Sequence, residues 1–521
     1  MKYPCKSLIL CLLAILIVVI AYNGSFLLNS TLRWSLPILN FELSFNIIFI
    51  SFLLVAFLVV LPARDFTFSE MLSFAFYTVS SLCAILFSGS MLLEQLVLVV
   101  IFCELMSLSS FFIVASGCKN GGHAIRYACT HFFVGLLLMI GLSTQNFNLI
   151  IIALLINCAC FPFSFWVADA YPAASLHGAS YLSLFTTKVS FLVALLNTYS
   201  FWQDCAEVLA FFGAITAIYG VIFTSLEKNI RRFLAYSTVG QMGMLIMAGS
   251  LLSHSENAVP LLVLNIIFSI VYQLLFTAVA NSIISRTKVV SFGRASKLLS
   301  VEGICATVAI LTMAAFPGTA GFIGKSYITT EIGDNLTTYK YLYKILHLLL
   351  FLSVGLKFLY HIFIAQNRLK LPITCGGNFS MIALASVCII AGNPYLFIYN
   401  KSLIFDLVCN ARNIWSQSSL LFSTALLFIP LRKLFLPRIN FSMDVDWFFR
   451  AFLPYVAALL SKLILEAKMK LINILQSLTN LLTTSYFNNI AKFREDNSVS
   501  FVSATSLMLI TVLLLLLCLN H

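Results

Sequence analysis

Three ionisable side chains stand in the middle of long apolar runs: Glu104 within Ile101–Ser110, Lys188 within Leu184–Phe191, and Lys357 within Ser353–His361. His361 follows Lys357 by four residues, which puts both on one face of a helix, one turn apart. A lysine or glutamate at the centre of a bilayer costs about 2.5–3.5 kcal/mol on insertion scales, so such a group is functional by default. Burial and a nearby opposite charge push the proton affinity of these groups in opposite directions. A lysine that gains and loses an acidic partner can therefore hand a proton onward. The plainer alternative is a buried ion pair that locks helices together, or a Lys357 that snorkels to the interface.

Proton movement through a helix bundle also needs hydrated cavities, which broken helices supply. Two segments predict such breaks. Phe161–Trp166 places Pro162 near the end of an apolar run, followed by Asp169, Pro172 and His177. Phe316–Phe322 places Pro317, Gly318 and Gly321 where a helix would otherwise continue. Proline removes a backbone donor and clashes with the preceding turn. An ordinary kink or loop would carry the same residues. His123 and His131 are expected to pack or cap rather than conduct.

The elements that must hold these residues are membrane helices. Of the 521 residues, 61% are hydrophobic and 10% charged, against about 25% charged in a soluble globular chain. That deficit makes the bilayer the solvent for most of the chain, and no long polar stretch is left for a soluble domain. A span takes about 20 mostly apolar residues. Runs of that kind cover 8–22, 44–62, 71–89, 92–116, 127–143, 148–168, 178–198, 206–225, 234–252, 259–284, 300–317, 345–365, 380–398, 417–431 and 501–518. The expected fold class is an all-α polytopic membrane protein of about 14–15 transmembrane helices, some of them broken.

The loops carry the net charge of +12. Arg64, Lys119, Arg126, Lys228, Arg231, Arg232, Arg286, Lys288, Arg294, Lys297, Arg368, Lys370, Arg432, Lys433 and Arg438 fall in alternate loops, while the loops near 90, 145, 200 and 255 have no lysine or arginine. Such asymmetry sets orientation. It predicts a multi-pass protein of the cell inner membrane with a cytoplasmic N-terminus, and no nucleic-acid partner. Arg33, Lys325, Lys340, Lys344, Lys401 and Arg412 fall on the outer side. Lys2 and Lys6 ahead of Ser7–Tyr22 look like a signal peptide, but the many spans that follow make an uncleaved first helix the better expectation.

The C-terminal part reads differently. Segment 451–482 is apolar yet carries Lys462, Glu466, Lys468 and Lys470, which predicts an amphipathic helix on the membrane surface or against the bundle. A polar loop at 485–499 and a last span follow. The expected organisation is a helix domain at 1–440 and a C-terminal segment at 441–521. Most of the 14 cysteines lie inside apolar runs, and Cys158-x-Cys160 has no second pair at zinc spacing, so no metal site is expected. The sequence has no Walker A loop, no strand-anchored G-x-G-x-x-G, no C-x-x-C-H and no iron–sulfur cysteine run. No cofactor is expected.

Four segments, in order, resemble the antiporter-like membrane subunits shared by Mrp-type cation/proton antiporters and respiratory complex I. Phe161–Ala170 looks like the family's proline–tryptophan–aspartate segment and Thr187-Lys188-Val189 like its threonine–lysine–valine helix. Ile230–Gln241 is close to its basic loop leading into Leu-Ala-Tyr-Ser, and Phe316–Lys325 resembles its proline-to-Gly-Phe segment. The resemblance, running from about residue 70 to 450, implies a proton path through Glu104, Lys188, Lys357 and His361. Pro162, Trp166, Asp169, Pro317 and Gly321 would belong to its broken-helix motifs. Asp444–Arg450 is similar to a C-terminal segment of D-type Mrp subunits.

Three departures stand out. Asn157 occupies the place of the lysine that partners the family's glutamate, and Ser269 and Gln273 occupy places that often hold histidine and lysine. The resemblance implies a proton-translocating, D-type subunit of a monovalent cation/proton (Na+/H+) antiporter. It would work beside other membrane subunits, with protons, monovalent cations and the lipid bilayer as its remaining partners. The alternatives are a proton-pumping membrane subunit of NADH:quinone oxidoreductase (complex I), which would be the only enzymatic setting, and a degenerate structural subunit without transport. Either Lys188 takes over as counter-charge to Glu104, or proton transfer is impaired.

Overall fold

The computed structural model describes residues 33–40, 43–44, 51, 68–89, 93–118, 121–293, 300–332, 337–364, 378–432, 435 and 452–494. The expected spans at 8–22 and 501–518, and most of 44–62, lie outside these. Two compact units divide at Asp446 and Trp447.

In the first unit a short antiparallel pair, β1 (Arg33–Trp34) and β2 (Leu43–Ser44), precedes a succession of helices. These are α1 (Phe68–Leu86), α2 (Leu93–Gly117), α3 (Gly122–Ser143), α4 (Phe147–Asn157), α5 (Phe165–Ala173), α6 (Leu176–Asp204), α7 (Ala206–Leu226) and α8 (Ile230–Leu251). They continue with α9 (Ala258–Thr287), α10 (Val301–Met313), α11 (Ala320–Glu331), α12 (Thr337–Ile364), α13 (Asn378–Ile390), α14 (Lys401–Leu407) and α15 (Ala411–Leu431). Among the described residues, eight helices are long and apolar enough to cross a membrane: α1, α2, α3, α6, α7, α9, α12 and α15. The chain is an all-α polytopic membrane protein.

Local sequence starts several of these helices. Ser175, Asn229, Ser300 and Asn410 each turn a side-chain oxygen onto a backbone N–H of the first helical turn, which satisfies a donor the helix itself leaves open. The α8 helix is the most enclosed: every residue from Ala235 to Leu251 is buried, including Ser237, Thr238 and Gln241. By contrast α3 presents Phe132, Phe133, Leu136 and Met139 outward, and α15 presents Phe422, Leu426 and Ile429. These are surfaces for lipid tails or neighbouring apolar helices.

Both predicted breaks are present, and they share one closure. The α4 helix ends at Asn157, Ala159 turns left-handed, and the N–H groups of Ala159 and Cys160 reach back to Ile156 and Leu155 carbonyls. The α10 helix ends at Met313, Ala315 turns left-handed, and the N–H groups of Ala315 and Phe316 reach back to Thr312 and Leu311. A left-handed alanine costs about 1–2 kcal/mol, so the surrounding packing must hold each one in place. Pro162 and Pro317 follow within three residues, preventing the first helix from resuming its course. The run 148–168 is therefore two half-helices. The run 300–317 is the first half of a broken pair that continues to Glu331, a correction to a span that the sequence ends at Pro317.

Two further expectations change. The span at 380–398 ends as helix at Ile390 and gives way to turns. In the second unit, helix α16 runs from Leu453 to Arg494, so helix replaces the first part of the loop expected at 485–499. At 1.5 Å per residue its length is about 63 Å, twice the hydrocarbon thickness of a bilayer.

Candidate functional site

The Lys188 ammonium is fully buried in the middle of α6. It donates to the Ser183 carbonyl at 2.7 Å and to the Gln273 side-chain oxygen of α9. The Gln273 amide nitrogen in turn donates to the Thr238 hydroxyl of α8 at 2.7 Å. Lysine and threonine are thus joined through one amide, fixed so that oxygen faces the cation. Ser183 and Thr238 also line a cavity of about 20 Å³, with Tyr171, Ser180, Arg231 and Asn281 along its wall, space for about one water. The hydrogen-bond partners of Lys188 and Gln273 thus share a cavity wall with Arg231, at the start of α8.

The residue before Gln273 faces a second lysine. Lys325 lies on α11, beyond the second break, with its ammonium 5.4 Å from the Tyr272 ring centroid. It donates to the Met313 carbonyl and contacts His347 Nε2 at 2.8 Å. The same His347 nitrogen lies 2.9 Å from the Met313 carbonyl. A protonated Nε2 donates to the carbonyl, and an unprotonated one accepts from Lys325; it cannot do both at once. The pair therefore offers one proton two positions. Lys325 and His347 also line a cavity of about 70 Å³ with Lys344, Asn413, Ser416 and Gln417, enough for water to reach them. Sequence placed Lys325 in an outer-side loop; the broken helix carries it inside.

Glu104 lies on α2, half-buried, with no hydrogen bond or ion pair to any described residue. Its carboxylate rests against α3 at Gly135, where an added Cβ would stand 2.5 Å from Oε1. Glycine makes the room for this side chain. Lys188 does not reach Glu104, since its ammonium is committed to Ser183 and Gln273. The structure does not bring these two expected partners into contact.

Lys357 has a different environment. Its ammonium donates to the carbonyls of Thr224, Ser225 and Glu227 at 2.7, 2.8 and 2.8 Å, all at the C-terminal end of α7. Three donors meet three carbonyls, where the helix leaves its last C=O groups unpaired and carries partial negative charge. The rings of Phe233 and Phe292 lie 5.5 and 5.3 Å from the ammonium. His361 packs its ring 5.8 Å from Phe292, and its Nε2 has no hydrogen-bond partner among the described residues. Neither residue joins the Lys188–Lys325 group.

The motif residues brace the breaks. The Trp166 indole donates to the Ile156 carbonyl at 3.0 Å, spanning the first break from α5 to α4, and the Phe161–Pro162 peptide within it is cis. Asp169 accepts from Arg126 at 2.8 and 2.9 Å and contacts His123 at 2.7 Å, tying α5 to the start of α3. Arg231 donates to the carbonyls of Ala174 and Ser175, so the basic loop docks onto the end of α5. In the second break, Pro317 follows left-handed Ala315, and a Cβ on Gly321 would run into the Thr312 carbonyl oxygen. Only glycine lets α11 pack so closely against the end of α10.

Buried lysines beside broken helices in an all-α bundle mark a polytopic membrane protein, and known sequences and structures resemble it. Residues 133–346 match the family described as NADH:quinone oxidoreductase/Mrp antiporter, TM. A NADH-quinone oxidoreductase subunit N from Geotalea uraniireducens is 27% identical over 196 residues, 36% of this chain and 40% of the relative. The chain thus matches less than half the length of that relative. In fold, it is similar to a chain of the Mrp complex from Dietzia sp. DQ12-45-1b, with a TM-score of 0.61 and 16% identity over 82% of this chain and 94% of that one. A chain of respiratory complex I from Thermus thermophilus aligns with a TM-score of 0.57 and 16% identity over 77% and 98%.

Proposed function

We propose that this chain is a proton-translocating membrane subunit of a larger assembly, similar to the D-type subunits of Mrp cation/proton antiporters. Its path would run through Glu104, Lys188 and Lys325, with His347 sharing the last proton. The observation that carries this is the bridge formed by adjacent residues of α9: Gln273 accepts from Lys188 while Tyr272 lies beside Lys325. A fully buried and a half-buried lysine on different helices thereby contact neighbouring residues of one helix, a burial cost that a purely structural core has no reason to accept.

The assignment gives Lys357 and His361 a positioning role at the end of α7, because all three ammonium donors of Lys357 are already used. The contacts joining Arg231 to Ala174 and Asn229 to Ser291 gather the basic loops at one end of the bundle. They support that end as the cytoplasmic one in an inner membrane. Complex I membership is the second reading, favoured by the subunit N relative. The neighbouring chains in a purified assembly separate the two: flavin and iron–sulfur subunits for complex I, small hydrophobic antiporter subunits for Mrp.

Lys188→Ala in the intact assembly, assayed as proton uptake into inside-out membrane vesicles, is expected to lower the rate at least about tenfold. Unchanged uptake would remove Lys188 from the path and leave the structural-subunit reading.

A further inference from the structure

Between Glu104 and the first break, two buried polar side chains lie side by side without satisfying one another. His131 is 2% exposed and Asn157 1%. The Asn157 side chain lies within hydrogen-bonding reach of the imidazole, yet neither His131 ring nitrogen nor Asn157 Oδ1 completes a hydrogen bond to a described residue. Buried polar atoms in this condition are uncommon and call for an explanation. Tyr127, His131 and Gly135 recur every four residues along α3, so they share one face. The Glu104 carboxylate sits on that face at Gly135, one helical turn from the imidazole.

We infer that His131 is the proton-exchanging partner of Glu104. The inference rests on the path proposed above and adds a residue to it. Burial against the Tyr127 and Trp166 rings, at centroid distances of 4.2 and 4.8 Å, fixes the imidazole plane. One neighbour of the ring is Asn157, and Glu104 lies one turn further along the same face, at Gly135. An imidazole can take a proton on one nitrogen and release it from the other, whereas Asn157 can only accept or donate a hydrogen bond. The proton that leaves the Glu104 carboxyl oxygen is taken by one ring nitrogen, leaving carboxylate and imidazolium, and the reverse step restores both neutral groups. Among other titratable groups on these elements, Cys103 is the neighbour of Glu104 on α2. Tyr127 donates to or accepts from Ser110, and Asp169 is engaged with Arg126 and His123.

The test uses the full chain in its native assembly. In inside-out vesicles, with proton uptake followed by a pH-gradient dye, His131→Leu is expected to lower the rate about tenfold. Adding Asn157→Lys to that variant restores at least half of the loss, because an ammonium again faces Glu104. Wild-type uptake by His131→Leu alongside an inactive Lys188→Ala overturns the inference and leaves the path standing. Wild-type uptake by Lys188→Ala overturns the path instead. The pairing itself is then decided in purified full-length protein by infrared titration of the Glu104 carboxyl band, assigned by its loss in Glu104→Gln. His131→Gln is expected to move the titration midpoint by about one pH unit or more. An unmoved midpoint overturns the pairing, whatever the leucine variant does to folding.

Discussion

The two helix breaks have almost the same backbone and opposite chemical loads. Each ends a half-helix with a left-handed alanine two residues past the last helical position, Ala159 after Asn157 and Ala315 after Met313. At the first, the Ile156 carbonyl, which accepts from the Ala159 N–H, is also met by a neutral donor, the Trp166 indole. The polar groups nearby, His131 and Asn157, are left unpaired. At the second, the freed Met313 carbonyl is met by the Lys325 ammonium and by His347. The closure is a structural solution that the chain uses twice, and the side chains placed on it decide whether a break holds a charge. On the path proposed above, a break with a committed cation would be a storage position and one with open neutral groups a transfer position.

That contrast can be broken experimentally. Lys325→Met removes the charge from the second break, and proton uptake in vesicles is expected to fall about tenfold or more, with the chain still assembled. Undiminished uptake would make the ammonium a brace like the Trp166 indole. Gly321→Val drives a side chain into the Thr312 carbonyl and is expected to cost about 1–3 kcal/mol or more. It would show as a sharp loss of folded chain in detergent extracts, with no counterpart at the first break.

Smaller effects sharpen the comparison. Lys357→Met leaves three carbonyls at the end of α7 without donors, a loss of about 1–3 kcal/mol, read as a lower melting temperature with uptake per folded chain retained. A stable variant without uptake would return Lys357 to the path. Trp166→Phe deletes the neutral donor of the first break and is expected to cost about 1 kcal/mol, visible as a modest drop in melting temperature.

Some of this was legible in the residue order. Pro162 and Pro317 announce both breaks because proline chemistry acts on the next turn whatever lies around it. Asn157 was recognisable as an altered position, but its neighbour His131 was assigned to packing, since a lone histidine in an apolar run gives no sign of which helix it faces. The quoted segment Gly321–Lys325 did contain Lys325. A span that ends at Pro317 leaves that lysine in a loop, whereas a helix that breaks and resumes at Ala320 packs it within the bundle.

By itself, the sequence determined the bilayer as solvent, most of the spans and the two breaks. All of these depend on composition, on 3.6-residue periodicity or on a single residue's covalent geometry. The tertiary structure alone decided which partner each ionisable group meets. It set Gln273 against Lys188, His347 against Lys325, and three carbonyls against Lys357. The proton chemistry of a buried group is fixed by what stands within about 3 Å of it, and those partners come from helices far apart in the chain.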